Sequence, residues 1–252
     1  MSELVSLSRQ GDIAIVSVDN PPVNALSLAV RRGVQKHIAE AQESDAKIIV
    51  LLCKGRTFFA GADISEFGTQ PADPWLPQVL NESAACRLPV VAAIHGTALG
   101  GGLDTAMACH YRIAIPSARM GLPEVRLGLL PGAGGTQWLP RLVGVEAALE
   151  MMISGKPITA GVALEKGLVD RLSGEDLAAD ALAYAQELIE AGAGPRPTTD
   201  MAVRSSHLPE GFFAATRSAV AKKTKGLPAP QRIIDCVEAA VTMDHEDAAA
   251  LE

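Results

Sequence analysis

Glycines and acids gather in three segments of the chain: FFAGADISEF at 58–67, HGTALGGGLDTAMACHYRIA at 95–114 and GLPEVRLGLLPGAGGTQWLPRLVG at 121–144. Gly100, Gly101 and Gly102 stand in succession between an apolar run and an Ala-rich stretch, where a strand would hand over to a helix. An isolated glycine usually marks a tight turn or close packing. Three in a row at a helix start also leave backbone N–H groups open, with the positive end of the helix dipole behind them, which suits developing negative charge. Asp104 falls in the first turn of that helix, where an acid is favourable in any case. Glu124 sits in a loop-like setting just after Pro123, the usual place for a solvated acid. Asp63 and Glu66 form an Asp-x-x-Glu pair that reads as a capping box for the next helix.

Other chemistries find no support in the residues. Cys53, Cys86, Cys109 and Cys236 are far apart and form no CxxC pair, so neither a zinc site nor a disulfide framework is expected. His95 and His110 fall at predicted strand ends with no metal spacing and are expected to be packed or hydrogen-bonded. A GxSxG nucleophile elbow is missing, which removes a serine hydrolase, and no GxGxxG follows a strand, which removes a dinucleotide fold.

The elements that must hold these residues alternate along the chain. DIAIVSVD at 12–19 alternates apolar and polar residues as a half-buried strand does. PPVNALS breaks it, and Ser27 is placed to cap a helix running to about Ser44, with Leu28, Val34, Ile38 and Ala41 near one stripe. Strands are expected at 48–53, 90–96 and 111–117, with a helix near 103–109, and this rhythm indicates an α/β class. After Gly144 the strands are expected to stop, leaving helices in EAALEMMISG, VALEKGLV, EDLAADALAYAQELIEA, EGFFAATRSAVAKKTKG and PAPQRIIDCVEAAVTM. The Gly- and Pro-rich stretch AGAGPRPTT marks the expected boundary between a main domain at 1–194 and a helical region at 195–252. The terminal AAALE is compatible with a helix end and with a vector remnant, and sequence does not separate the two.

The bulk numbers narrow the partners. The 252 residues include 22 Lys and Arg against 29 Asp and Glu, a formal charge of -7 that offers no global attraction for nucleic acid or anionic membrane. Any anionic ligand must be held locally, and Lys54, Arg56 and the Lys222, Lys223, Lys225 cluster are the candidate cations. With no apolar run near the roughly 20 residues needed to span a bilayer and no signal-peptide core, the expected location is the cytoplasm.

The three segments, in this order and spacing, closely resemble the crotonase (enoyl-CoA hydratase/isomerase) family, over at least residues 12–172. The wording of ACHYRIA, GLPEVRLGLLPGAGGTQ and ALEMMISGKPI is most similar to the hydratase portion of multifunctional fatty-acid oxidation proteins, in which a 3-hydroxyacyl-CoA dehydrogenase follows. The resemblance implies a spiral of ββα turns with a C-terminal helical lobe, and hydration of a 2-enoyl-CoA thioester in fatty-acid β-oxidation. It places the two N–H donors of an oxyanion hole at Ala62 and Gly101 and the two acids at Asp104 and Glu124. It also places a water-positioning amide at Gly132, and lines the CoA pocket with Val23, Ala25, Ala60, Asp63 and Ile64. Neither a metal nor a redox cofactor is implied, because CoA arrives with the substrate. A homotrimer, a hexamer or a covalent fusion to the dehydrogenase are all compatible with it.

Asp104 departs from the pattern. Typical hydratases carry glutamate there, and aspartate is shorter by one methylene, about 1.5 Å of reach. That keeps a 3-enoyl to 2-enoyl-CoA isomerase, working through Glu124 alone, as the main rival. A catalytically weak acyl-CoA-binding protein is another. Gly132 stands where dienoyl-CoA isomerases carry a further acid, which counts against that activity.

Overall fold

The computed structural model describes residues 4–66 and 72–252. The chain opens with a hairpin, β1 (Val5–Gln10) and β2 (Ile13–Val18), turned at Gly11 with φ 58°. Helix α1 (Leu28–Gln42) then leads to β3 (Ile48–Cys53), a 3-10 turn at Ile64–Glu66 and α2 (Leu76–Ala84). Next come β4 (Val90–Ile94), β5 (Thr97–Leu99), α3 (Gly101–Ala108), β6 (Tyr111–Ala114) and β7 (Arg119–Gly121). A 3-10 turn at Glu124–Leu127 precedes α4 (Gly135–Val143) and α5 (Val145–Ser154). The remainder is β8 (Ile158–Thr159), α6 (Ala160–Lys166), β9 (Arg171–Leu172), α7 (Leu177–Glu190), α8 (Phe212–Thr224), α9 (Pro228–Thr242) and α10 (His245–Ala249).

Two sheets stack the turns of a spiral. The larger runs β1-β2-β3-β4-β6-β9, parallel throughout except for the antiparallel β1 edge, and the smaller runs β5-β7-β8. One turn takes the chain from β4 in the large sheet to β5 in the small one, through α3, and back to β6 and β7 beside them. Parallel strands covered on both faces read as unbroken apolar runs, and IIVLLC in β3 is one. Its Ile48 and Val50 face α7, packing with Tyr184 and Ala185, while Ile49 and Leu51 face the main core.

The expectation that strands end after Gly144 is incorrect. β8 and β9 close the edges of the two sheets with two residues each, too short to show a period of two in sequence. Of the expected Asp63/Glu66 capping box only the Asp63 half forms, with Asp63 accepting from the Ser65 N–H at 3.0 Å and the Ser65 hydroxyl at 2.7 Å. The Glu66 carboxylate turns to α1, taking the Leu28 N–H at 2.8 Å and the Arg31 guanidinium at 2.7 Å. Ser27 is the N-cap residue of α1 but makes no side-chain cap bond, so an acid 38 residues away does that work.

The last helices are built onto the spiral. α9 packs on α4 and α5, and its Ile233, Ile234 and Val237 belong to the same buried cluster as Leu139 and Leu149. Among the described residues, no helix is long and apolar enough to cross a membrane.

Candidate active site

Two loops are pressed together at the start of α3. On one side, Leu26 N–H donates to the Gly61 carbonyl at 3.0 Å and Ala60 N–H to the Val23 carbonyl at 3.2 Å, so the 23–26 and 60–62 segments run side by side. Val23, Ala25, Ala60 and Ala62 are thereby gathered on one ribbon next to the Asp63 turn. The backbone of Ile64 continues into the 3-10 turn, while its side chain and residues 67–71 lie outside the described residues. Two buried side chains brace the ribbon. Asn24, at φ 51°, donates to the Lys54 and Thr57 carbonyls at 2.8 Å each, and Arg31 reaches the Leu26 and Pro74 carbonyls at 2.8 and 2.9 Å.

On the other side, the three glycines let α3 approach this ribbon. A Cβ on Gly102 would lie 2.1 Å from the Phe59 carbonyl oxygen, so no side chain fits there. A Cβ on Gly101 would lie 3.6 Å from the Ala62 nitrogen, which makes Ala62 and Gly101 neighbours across the gap. Gly100 adopts φ 53° and ψ -129°, a backbone state that L side chains rarely enter, and a Cβ there would meet Glu124 Oε1 at 2.7 Å. The Ala62 N–H takes no part in the Leu26-to-Gly61 bond, and the first N–H groups of α3 have no acceptor within their own helix. The result is a pair of backbone donors beside a carboxylate.

The two acids are held by different devices. Asp104 is carried in the first turn of α3, 1% exposed, and its Oδ1 has no hydrogen-bond partner among the described residues. Gly135, the first residue of α4, makes room for it, since a Cβ there would lie 2.6 Å from that oxygen. Burial, then the charges of Glu124 and Glu252, push the Asp104 carboxyl well above the usual carboxylate range. Glu124 opens the 3-10 turn after Pro123, and its Oε2 is likewise buried without a hydrogen-bond partner among the described residues. Burial raises its pKa to about 7. Both carboxyls therefore keep their protons to higher pH than free acids do, and they titrate as an interacting pair.

A cavity of about 820 Å³, within the range of small-ligand sites, is walled in part by Glu252, whose charge acts on Asp104. Gly132 lines it with Ala133, Gly134 and Trp138, facing Trp75 and Pro77 at the start of α2 and His245 and Ala249 of α10. At its wall the Glu252 carboxylate accepts from the Gly134 and Thr136 N–H groups at 2.8 and 2.9 Å, occupying the N-terminus of α4.

Ala62, Gly101, Asp104 and Glu124 are thus brought together around the start of α3, Val23, Ala25 and Ala60 lie on the ribbon packed there, and Gly132 lines the cavity, whose walls include none of the other residues singled out from the sequence. His110 does not join them. It is fully buried, takes the Val90 N–H on Nδ1 at 2.9 Å and meets the Ala84 carbonyl through Nε2 at 3.0 Å, a neutral structural pin. Sequence reasoning missed Asn24, Arg31, the reach of Glu66 to α1, Gly135 and the two tryptophans. The first three act through long-range bonds that leave no local signature, whereas the Gly134-Gly135 pair before a helix was a readable signal of close approach.

Comparison with known proteins agrees with this geometry. The enoyl-CoA hydratase/isomerase family profile matches residues 8–204. Over 233 residues the chain is 42% identical to the peroxisomal bifunctional enzyme of Danio rerio, covering 90% of this chain and 32% of that protein. It is 41% identical to the glyoxysomal fatty acid beta-oxidation multifunctional protein MFP-a of Cucumis sativus, covering 91% and 33%. Among solved structures, the enoyl-CoA hydratase of Bacillus anthracis superposes with a TM-score of 0.68 at 26% identity, covering 98% of this chain and 87% of that one. The chain spans about a third of the length of the curated relatives it matches. These relatives are named as peroxisomal and glyoxysomal proteins, which runs against the expectation of a cytoplasmic location, since charge and hydropathy do not encode an organelle. The profile match over most of the chain, the shared architecture and the paired acids beside two backbone donors lead to one conclusion: this chain belongs to the enoyl-CoA hydratase/isomerase family.

Proposed function

We propose that the chain hydrates 2-enoyl-CoA thioesters to 3-hydroxyacyl-CoA in fatty-acid β-oxidation, as one portion of a longer multifunctional protein. The observation that carries the reading is the pair of buried carboxyls, both with raised proton affinity, next to the Ala62 and Gly101 amides. The amides hold the thioester oxygen as negative charge builds on it. Water attacks C3, its proton passes to the Asp104 carboxylate, and C2 takes the proton of Glu124, so one water is added and nothing else is consumed. Gly132 offers its backbone to that water, and Val23, Ala25, Ala60, Asp63 and Ile64 flank the CoA. Residues 1–194 supply the spiral and its site, and 195–252 form a lobe whose α10 lines the acyl cavity. No cofactor enters, since CoA is part of the substrate.

A second activity has its own support. Shifting a 3-enoyl to a 2-enoyl double bond needs one ionised base, and Glu124 serves in the protonation state opposite to the one hydration uses, with the proton on the buried Asp104. The two activities separate in an assay of crotonyl-CoA hydration beside 3-hexenoyl-CoA isomerisation. We expect both in the wild type, with Asp104→Asn losing hydration far more than isomerisation; a wild type inert toward every 2-enoyl chain length would end the hydratase reading. Trp75 and Trp138, the two tryptophans of the sequence, both line the cavity, so acyl-CoA binding should change their fluorescence.

A further inference from the structure

A second cavity, about 280 Å³, is lined by Arg112, Arg141, Arg196 and Arg204 together with Asp170. Four guanidinium charges there meet a single lining carboxylate. That carboxylate is already engaged, with Asp170 Oδ1 2.5 Å from Arg196 and Oδ2 accepting the Arg112 N–H at 2.8 Å. Much of the remaining donor capacity clamps helix ends. Arg112 binds the Leu168 and Cys109 carbonyls at 2.8 and 2.6 Å, Arg141 binds the Gln137 carbonyl at 2.6 Å, and Arg204 binds those of Leu142 and Lys166. Carbonyl dipoles satisfy individual N–H groups, yet they do not cancel net charge.

Arg112 is 1% exposed and Arg141 7% exposed; among the described residues Arg141 Nε has no hydrogen-bond partner, and Arg112 Nη2 makes no hydrogen bond and only a 3.7 Å ion pair to Asp170 Oδ2. An unpaired buried donor is costly, more so on a charged group, and a guanidinium fork fits tetrahedral oxyanions. The Arg204 side is open to solvent, so the cavity has an entrance, while the two deepest arginines form its floor. We propose that this cavity binds a phosphoryl dianion, at a site separate from the thioester cleft. The segment 196–204 lies between the two, lending Pro197, Thr199 and Asp200 to the acyl cavity and Arg196, Met201 and Arg204 to this one. The dianion is either free phosphate or a phosphate of CoA, and the inference does not depend on which reaction the cleft performs.

Titration calorimetry of the full chain with inorganic phosphate, in low-salt buffer free of other oxyanions, tests it. One phosphate should bind per chain, at least tenfold more weakly in Arg204→Ala and with intermediate affinity in Arg204→Lys, which keeps the charge but loses the fork. Ala202→Glu, which adds a carboxylate at the exposed rim without removing a contact, should abolish binding while leaving the thermal midpoint within a few degrees; it serves if Arg204→Ala does not fold. A second titration in saturating CoA separates the sources. Phosphate binding that persists identifies free phosphate, and phosphate displaced by a CoA whose own affinity falls in Ala202→Glu identifies CoA. Lack of saturable binding, or binding unchanged by both Arg204→Ala and Ala202→Glu, would overturn the proposal.

Discussion

Glu124 and Asp104 owe their chemistry to position more than to type. Each is an ordinary carboxyl whose charged form has been made costly, Asp104 by complete burial and Glu124 by partial burial against Gly100. Glu124→Gln removes the group expected to exchange a proton with substrate carbon, so both hydration and isomerisation should fall by about 10² to 10⁴ in kcat, with acyl-CoA binding nearly intact by tryptophan fluorescence. Isomerisation, which needs Glu124 ionised, should rise with pH through an apparent pKa near 7. Hydration, which needs one proton in the pair, should follow a bell instead; identical pH profiles for the two reactions would contradict the division of roles. Asp104→Glu lengthens a side chain packed against α4 and is expected to cost about 1 to 3 kcal/mol of stability in a denaturant titration, whatever it does to turnover.

At the scale of elements, the site depends on how closely α3 can approach the 59–62 segment. Gly102→Ala would force a methyl against the Phe59 carbonyl, a backbone atom that does not swing away. The expected result is a loss of about 3 kcal/mol or more, visible as a depressed thermal midpoint even before activity is measured. α1 is tied to the same region by Glu66, which caps its first turn and neutralises the buried Arg31. Glu66→Ala should therefore destabilise the fold by roughly 2 to 3 kcal/mol, combining a lost cap with a weakened ion pair, and Glu66→Gln should recover the cap portion only. If Glu66→Gln were as stable as wild type, the charge on Arg31 would already be compensated by its carbonyl partners.

For the whole molecule, the raised acids link stability to pH. The folded state holds the Glu124 proton to about pH 7, whereas an unfolded chain releases it near 4.5. Stability from this group is thus fully present below about pH 4.5 and is lost as pH rises through about 7, and Asp104 acts in the same sense. Glu124→Gln, neutral at every pH, should match wild type near pH 5 and exceed it at pH 8, by at most roughly 3 kcal/mol, in urea titrations at the two values. A difference independent of pH would show that Glu124 titrates normally.

The α/β class, the positions of β3, β4, α3 and β6, and the three chemistry-bearing segments were all legible in the residues, because a buried strand or a glycine-bounded helix start is a local pattern. Four features were not. The two-residue strands β8 and β9 are too short for a period, Glu66 caps a helix 38 residues upstream, Asn24 and Arg31 brace loops distant in sequence, and the protonation of Asp104 and Glu124 follows from burial. Sequence by itself determined which residues were available and which local elements they prefer. Tertiary structure alone decided which carboxyls lose their water and how near the amides stand, since desolvation and close contact are properties of neighbours that the chain brings together only by folding.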